Sequence, residues 1–195
     1  AAAAGAWPVA GFLLGRRSAR RGPPVSRPVT FRRGTVTGAR FAPDGGTLVY
    51  SAAWDGGPSD VYLGRLDSPD ARAIGFPGGT LQGLAAGEMA VLERGQGGVS
   101  LGRAPLGGGA LRLIAENIGA ADWTRDGTQF LVERVVEGQR RRLEYPVGKT
   151  LLDRAPTEFV GNPRLSLQGD LVAFFDNTAF GALNGDVVLV DRSGT

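Results

Sequence analysis

Short apolar runs recur along the chain, each preceded by turn-forming residues: Leu48-Val49-Tyr50, Ala90-Val91-Leu92, Phe130-Leu131-Val132 and Val172-Ala173-Phe174-Phe175. Runs of three or four such residues bounded by Gly, Asp and Asn read as short buried strands, not helices. A further strand is predicted after each one, at Val61-Tyr62-Leu63, Val99-Ser100-Leu101, Arg142-Leu143-Glu144-Tyr145 and Val187-Val188-Leu189-Val190. Asp55-Gly56-Gly57, Glu137-Gly138 and Asn184-Gly185 stand between the two, where hairpin turns belong. A weaker outer strand reads from Ala71-Arg72-Ala73-Ile74 and Leu111-Arg112-Leu113-Ile114. No long helical period appears after residue 30.

The pattern is a repeat. Ala39-Arg40-Phe41-Ala42-Pro43-Asp44-Gly45, Ala121-Asp122-Trp123-Thr124-Arg125-Asp126-Gly127 and Pro163-Arg164-Leu165-Ser166-Leu167-Gln168-Gly169 align, with a degenerate copy at Leu84-Ala85-Ala86-Gly87. The shared glycines, Gly45, Gly87, Gly127 and Gly169, are 42, 40 and 42 residues apart. Asp44-Gly45 and Asp126-Gly127 are read as structural repeat turns, the glycine supplying a positive φ. A unit of about 40 residues holds four short strands, the size of one propeller blade. The fold expected is all-β, a partial β-propeller of about four blades. The blades are placed at 29–77, 78–117, 118–156 and 157–195. The last of them stops after a third strand, so an open edge and missing blades are expected.

Ahead of the repeats the composition changes. Residues 1–15 are small, apolar and uncharged, fewer than the roughly 20 a membrane-spanning helix needs. They read as the C-terminal part of a transmembrane helix, continued by the basic, proline-rich linker 16–28. Eight of the 22 basic residues lie in 1–43, which holds no acid, leaving 14 against 19 acidic residues from Asp44 onward. The net charge of +3 therefore belongs to the tail, and no nucleic-acid partner is expected. Glycine (32) and proline (12) are far above ordinary usage, as many tight turns require.

With no His and no Cys, Ser-His-Asp catalysis, His- or Cys-ligated zinc and thiol chemistry are excluded. Gly148-Lys149-Thr150 lacks the earlier glycine of a phosphate loop, position 143 being Leu143. Asp44 and Asp126 stand alone in their turns, without the alternating oxygens of a calcium loop. Asp176-Asn177-Thr178 and Asn184-Gly185-Asp186 flank a long hairpin loop and read as its polar tip. Asp55, Asp60, Asp122 and Glu133 supply carboxylates, but none is singled out as half of a glycosidase pair. Ser51 and Ser166 have no histidine to activate them. Trp54 falls near a hairpin connection, Trp123 reads as blade packing, and Arg140-Arg141-Arg142 as a charged hairpin edge. No catalytic, cofactor or metal residue is expected.

The Phe-Ala-Pro-Asp-Gly turn before an apolar strand, together with Val29-Thr30-Phe31-Arg32-Arg33-Gly34 and Val49-Tyr50-Ser51-Ala52-Ala53-Trp54-Asp55-Gly56, resembles TolB-like propeller repeats. Arg140-Arg141-Arg142-Leu143-Glu144-Tyr145-Pro146-Val147-Gly148-Lys149 resembles a third blade of the same kind. The resemblance covers about residues 28–195 and extends to the propellers of bacterial membrane-anchored serine/threonine kinases. It implies a non-catalytic sensory or scaffold propeller, extracytoplasmic, that binds an unidentified protein or small ligand at a propeller face. A propeller gating a separate peptidase domain and a periplasmic TolB-like transport accessory are the alternatives it implies.

Overall fold

A computed structural model describes residues 26–177 and 185–195 of the chain. Two compact units divide at Phe31 and Arg32, and every strand belongs to the second. The membrane segment expected at 1–15, and nearly all of the linker at 16–28, lie outside the described residues. No helix among the described residues is long and apolar enough to cross a membrane.

Four antiparallel sheets follow one another along the chain. The first contains β1 (Gly34–Phe41), β2 (Thr47–Trp54), β3 (Ser59–Arg65) and β4 (Ala71–Ala73). The second contains β5 (Gly79–Ala85), β6 (Glu88–Gly95), β7 (Gly98–Pro105) and β8 (Arg112–Glu116). β9 (Ile118–Trp123), β10 (Phe130–Val135), β11 (Arg141–Glu144) and β12 (Thr150–Arg154) form the third. β13 (Phe159–Leu165), β14 (Leu171–Asn177) and β15 (Asp186–Asp191) form the fourth, three-stranded among the described residues. Each sheet is a meander in chain order, the arrangement of a propeller blade. A three-residue 3-10 turn at Glu137–Gln139 is the only helix among the described residues.

The first strand of each blade packs beside the first strand of the next, in the order β1, β5, β9, β13, and no comparable packing joins β13 back to β1. The blades thus form an arc around an inner row of strands. Phe41, Trp123 and Leu165 end their inner strands equivalently, pairing with Leu48, Phe130 and Val172.

Sheets stacked face to face explain why the second strands read as unbroken apolar runs. On β6, Met89 and Val91 pack toward blade one, against Val49, Val61 and Leu81, while Ala90 and Leu92 pack toward blade three. On β10, Phe130 and Val132 join the blade-two side, whereas Leu131 packs with Leu143, Val160, Val172 and Phe174 toward blade four. A strand buried on both faces needs apolar side chains at successive positions. Met89, Leu101 and Leu131 are fully buried in these layers, and each contributes about 1.5–3 kcal/mol relative to an exposed side chain.

The turns between inner and second strands are local in origin. In Ala42-Pro43-Asp44-Gly45 the Gly45 amide donates to Ala42 O (3.0 Å), and Gly45 has φ +67°. Asp44 then accepts from the amides of Gly46 (3.0 Å) and Thr47 (2.9 Å) and from the Thr47 hydroxyl (2.6 Å). Asp126 repeats this with the Thr128 amide and hydroxyl. Blade four, with Gln168 where blades one and three carry aspartate, keeps the same backbone turn: Gly169 N donates to Ser166 O (2.9 Å). There Ser166 Oγ takes over the cap, accepting from the amides of Asp170 and Leu171. Blade two departs from the pattern, with a two-residue turn at Ala86 and Gly87, both at positive φ, as a tight hairpin requires.

Candidate functional site

The inner-strand turns of blades three and four converge with the turn after β15 to enclose a groove of about 320 Å³. Thr124, Arg125, Gln129, Gln168 and Arg192 are among its lining residues. Its floor is ordered by Arg192, whose Nε donates to Gly169 O (2.7 Å) and whose guanidinium lies 5.5 Å from the centre of the Tyr145 ring. The buried Tyr145 hydroxyl donates to the same Gly169 carbonyl (3.0 Å). Thr124 Oγ accepts from the Gln129 amide (3.0 Å), closing the blade-three wall. Hydrogen bonds from Thr124 and then Thr128 hold Asp126 below the usual carboxylate range, so it is ionised at neutral pH. The exposed Arg125 guanidinium, the ionised Asp126 carboxylate and the Gln129 and Gln168 amides give the groove both donors and acceptors. Such a lining can form hydrogen bonds with a polar group, and it includes no cysteine, histidine or lysine.

A second arrangement links the blades themselves. Five residues before each repeat glycine, the inner strand carries Arg40, Gln82, Asp122 and Arg164. Arg40 Nη2 donates to Gln82 O (3.2 Å), Gln82 Oε1 accepts from Ala121 N (3.1 Å), and Asp122 Oδ2 accepts from Leu165 N (2.7 Å). Each bond ties one inner strand to the backbone of the next. None was singled out as a site from sequence, although the repeat alignment itself shows a polar residue at this position in all four copies.

The other residues weighed from sequence are dispersed. Gly148 N donates to Glu144 Oε2 (2.9 Å) inside the β11–β12 turn, so the amide a phosphate would need is occupied, and a strand follows instead of a helix. Burial alone would raise Glu144, but its bonds to Arg134 and the Gly148 amide outweigh that and lower it. Lys149 Nζ lies 3.5 Å from Arg192 O. Asp55 pairs with Arg32 (3.0 Å), and Asp60 accepts from the Val61 and Phe76 amides (2.7 and 2.8 Å). Glu133, raised by burial, meets Arg141 Nη1 at 2.6 Å. Arg140 and Arg142 both pair with Asp153, so the expected charged edge is held by ion pairs in which two arginines share one carboxylate. Ser51 is buried against the Thr37 hydroxyl (2.9 Å). Trp54 packs with Tyr50 and Tyr62, and Trp123 stacks on Phe130 at 4.6 Å. Asp176 pairs with Arg154 (2.6 Å), while Thr178 and Asn184 of the long loop lie outside the described residues. No group of three or more metal-ligating side chains occurs among the described residues.

No family model and no curated protein matches the sequence. Solved structures do match the fold. TolB from Acinetobacter baumannii superposes with a TM-score of 0.62 at 14% identity, over 80% of this chain and 40% of its own length. A putative TolB from Agrobacterium tumefaciens gives 0.63 at 16% identity, over 78% of this chain and 60% of its own. A prolyl endopeptidase gives 0.50 at 15% identity, over 83% of this chain and 30% of its own. The chain thus spans less than two thirds of either TolB. Four meandering sheets arrayed around one row of inner strands, superposing on both, make this fold a TolB-like β-propeller.

Proposed function

We propose that the chain is a non-catalytic binding module, the sensory or scaffold propeller of a membrane-anchored bacterial serine/threonine kinase, held on the extracytoplasmic side. The observation that carries the binding role is the groove between the turns of blades three and four, where loops from separate blades bring hydrogen-bond donors and acceptors together. The membrane and kinase context rests on the apolar and basic N-terminal sequence and on the resemblance of the repeats. The partner is a protein or small ligand that presents an acidic group to Arg125 and Arg192.

The test is a fluorescence-polarisation screen of the purified chain against acidic peptides. Binders are expected to lose about tenfold or more in affinity in Arg125→Ala, a charged hydrogen bond being worth about 1.5–3 kcal/mol, and to be unaffected by Arg94→Ala on β6. Binders indifferent to Arg125, or none at all, would contradict the reading. The same protein is expected to leave ATP unhydrolysed. Micromolar nucleotide binding that disappears in Lys149→Ala would restore the phosphate-loop reading of Gly148-Lys149-Thr150. A phosphatase fusion after Thr195 in the membrane-borne protein checks the side: activity is the expected result, and its absence with a fluorescent cytoplasmic fusion is the contrary one.

The likeness to a prolyl endopeptidase favours a second reading, a propeller gating a separate hydrolase domain. A Gly-x-Ser-x-Gly segment with Asp and His in the same polypeptide would select it.

A further inference from the structure

We propose that Asp55-Gly56 is a site of backbone modification, where the aspartate closes onto the following amide and reopens as isoaspartate, while the same dipeptide at Asp44-Gly45 and Asp126-Gly127 is held back by its turn. The three steps are alike in sequence, since glycine lacks the Cβ that would hinder ring closure. Their surroundings differ. In the two repeat turns the nitrogen that must attack is already engaged: Gly45 N donates to Ala42 O (3.0 Å) and Gly127 N to Thr124 O (2.8 Å). The carboxyl that must be attacked is fixed as well. Asp44 Oδ2 accepts from the Thr47 hydroxyl (2.6 Å) and Asp126 Oδ1 from the Thr128 hydroxyl (2.9 Å). Hydrogen bonds from Thr47, and from Thr124 and Thr128, lower these two groups and hold them as carboxylates, which lose an oxygen far less readily than the acid. Gly127 is also buried, an added Cβ there lying 3.1 Å from Ala86, so a ring has little room.

At Asp55-Gly56 each of these restraints is missing. The turn between β2 and β3 is closed by Gly57 N donating to Trp54 O (2.9 Å), and Gly56 N meets no acceptor among the described residues. The Asp55 side chain is 63% exposed, and its partner is Arg32 (3.0 Å), itself exposed. A Cβ built on Gly56 meets nothing within 4 Å, and a groove of about 500 Å³ lined by Arg33, Gly34, Asp55 and Gly56 opens beside the pair. Asp55 has φ +54°, a conformation unfavourable for a residue with a Cβ, so opening the turn releases strain. The reaction needs no co-reactant but water. Gly56 N bonds to Cγ of the protonated Asp55 carboxyl, whose hydroxyl leaves with the amide hydrogen as water, giving a cyclic imide. Water then opens the imide at the Asp55 main-chain carbonyl, so that the chain runs on through Cγ and the hairpin tip is longer by one methylene.

The experiment ages the purified chain for several weeks at mildly acidic pH, folded and in urea, and reads isoaspartate by electron-transfer mass spectrometry of tryptic peptides. Asp44 and Asp55 share the peptide 41–65, and the fragment ions tell them apart. Isomerisation leaves the mass unchanged, whereas deamidation at Asn184-Gly185 does not, so the two are read separately. In the folded protein isoaspartate is expected to form about tenfold or more faster at Asp55 than at Asp44 or Asp126, where reaction waits on local opening. In urea, with the turns gone, the three rates are expected to come within about twofold of one another. Asp55→Glu, which would need a larger ring, is expected to abolish the signal at that position and leave the other two unchanged. Isoaspartate appearing first at Asp44 or Asp126, equally at all three, or nowhere in the folded chain overturns the proposal. The same preference for Asp55 in urea also overturns it, because sequence and not the turn would then set the rate.

Discussion

Gly45 and Gly169 share a φ of +67° but not a neighbourhood. A Cβ at Gly45 meets nothing within 4 Å, whereas one at Gly169 lies 2.9 Å from the Tyr145 hydroxyl and 3.4 Å from Arg192 Nη2. Gly45→Ala is expected to cost only the left-handed backbone penalty, about 1–2 kcal/mol. Gly169→Ala adds the displacement of a buried hydroxyl and is expected to cost about 1–3 kcal/mol more. Urea denaturation of the two variants checks the order, and equal losses would contradict it. The conformational demand was legible in sequence as a repeated glycine. The crowding at Gly169 was not, because Tyr145 and Arg192 reach it from 24 and 23 residues away. The arginine run shows the same limit. A chain reading sees three adjacent charges, but on a strand they alternate in direction, so Arg141 turns inward to Glu133 while its neighbours share Asp153.

At the scale of elements, strand order and blade size follow from the spacing of turns and apolar runs, since each hairpin is specified within a few residues of itself. Even the altered turn of blade four keeps its backbone, because Ser166 supplies locally what aspartate supplies in blades one and three. Contacts between blades are a different matter. Asp122 looked like one unremarkable carboxylate among several, yet it accepts the Leu165 amide 43 residues on. Asp122→Ala removes that acceptor and is expected to cost about 1–3 kcal/mol, the price of an unsatisfied partly buried donor. Asp122→Asn keeps an oxygen in place and is expected to recover at least half the loss. Thermal denaturation decides, and an alanine variant as stable as the parent would remove the inter-blade role.

For the molecule as a whole, the carboxylates set an acid limit. Asp44, Asp126 and Asp170 are lowered first by hydrogen bonds from Thr47, Thr124 and Ser166, and Glu88 and Asp153 by Arg103 and Arg142. Asp191 falls from 3.8 to about 2 through the Ser193 hydroxyl and amide and the Thr195 amide. A folded pKa below the unfolded one gives stability that is complete above the unfolded value and lost as pH falls through the folded value. Glu133, raised by burial, works in the opposite sense and is outnumbered. The urea midpoint is therefore expected to hold level above about pH 5 and to fall between about pH 4 and pH 2. Asp191→Asn is expected to flatten the last part of that fall; a midpoint unchanged from neutral pH down to about 3 would contradict it.

Successive repeats stand side by side with their inner strands bridged by single hydrogen bonds, and amide hydrogen exchange read residue by residue by NMR probes those bonds one at a time. The Ala121 and Leu165 amides donate to side chains 39 and 43 residues away, on the inner strand of the preceding blade. Both amides are expected to be protected. Gln82→Ala is expected to release Ala121 while leaving Leu165 slow, and Asp122→Ala to release Leu165 while leaving Ala121 slow. Unprotected amides at both positions, or protection indifferent to both substitutions, would contradict the bridging of the inner strands.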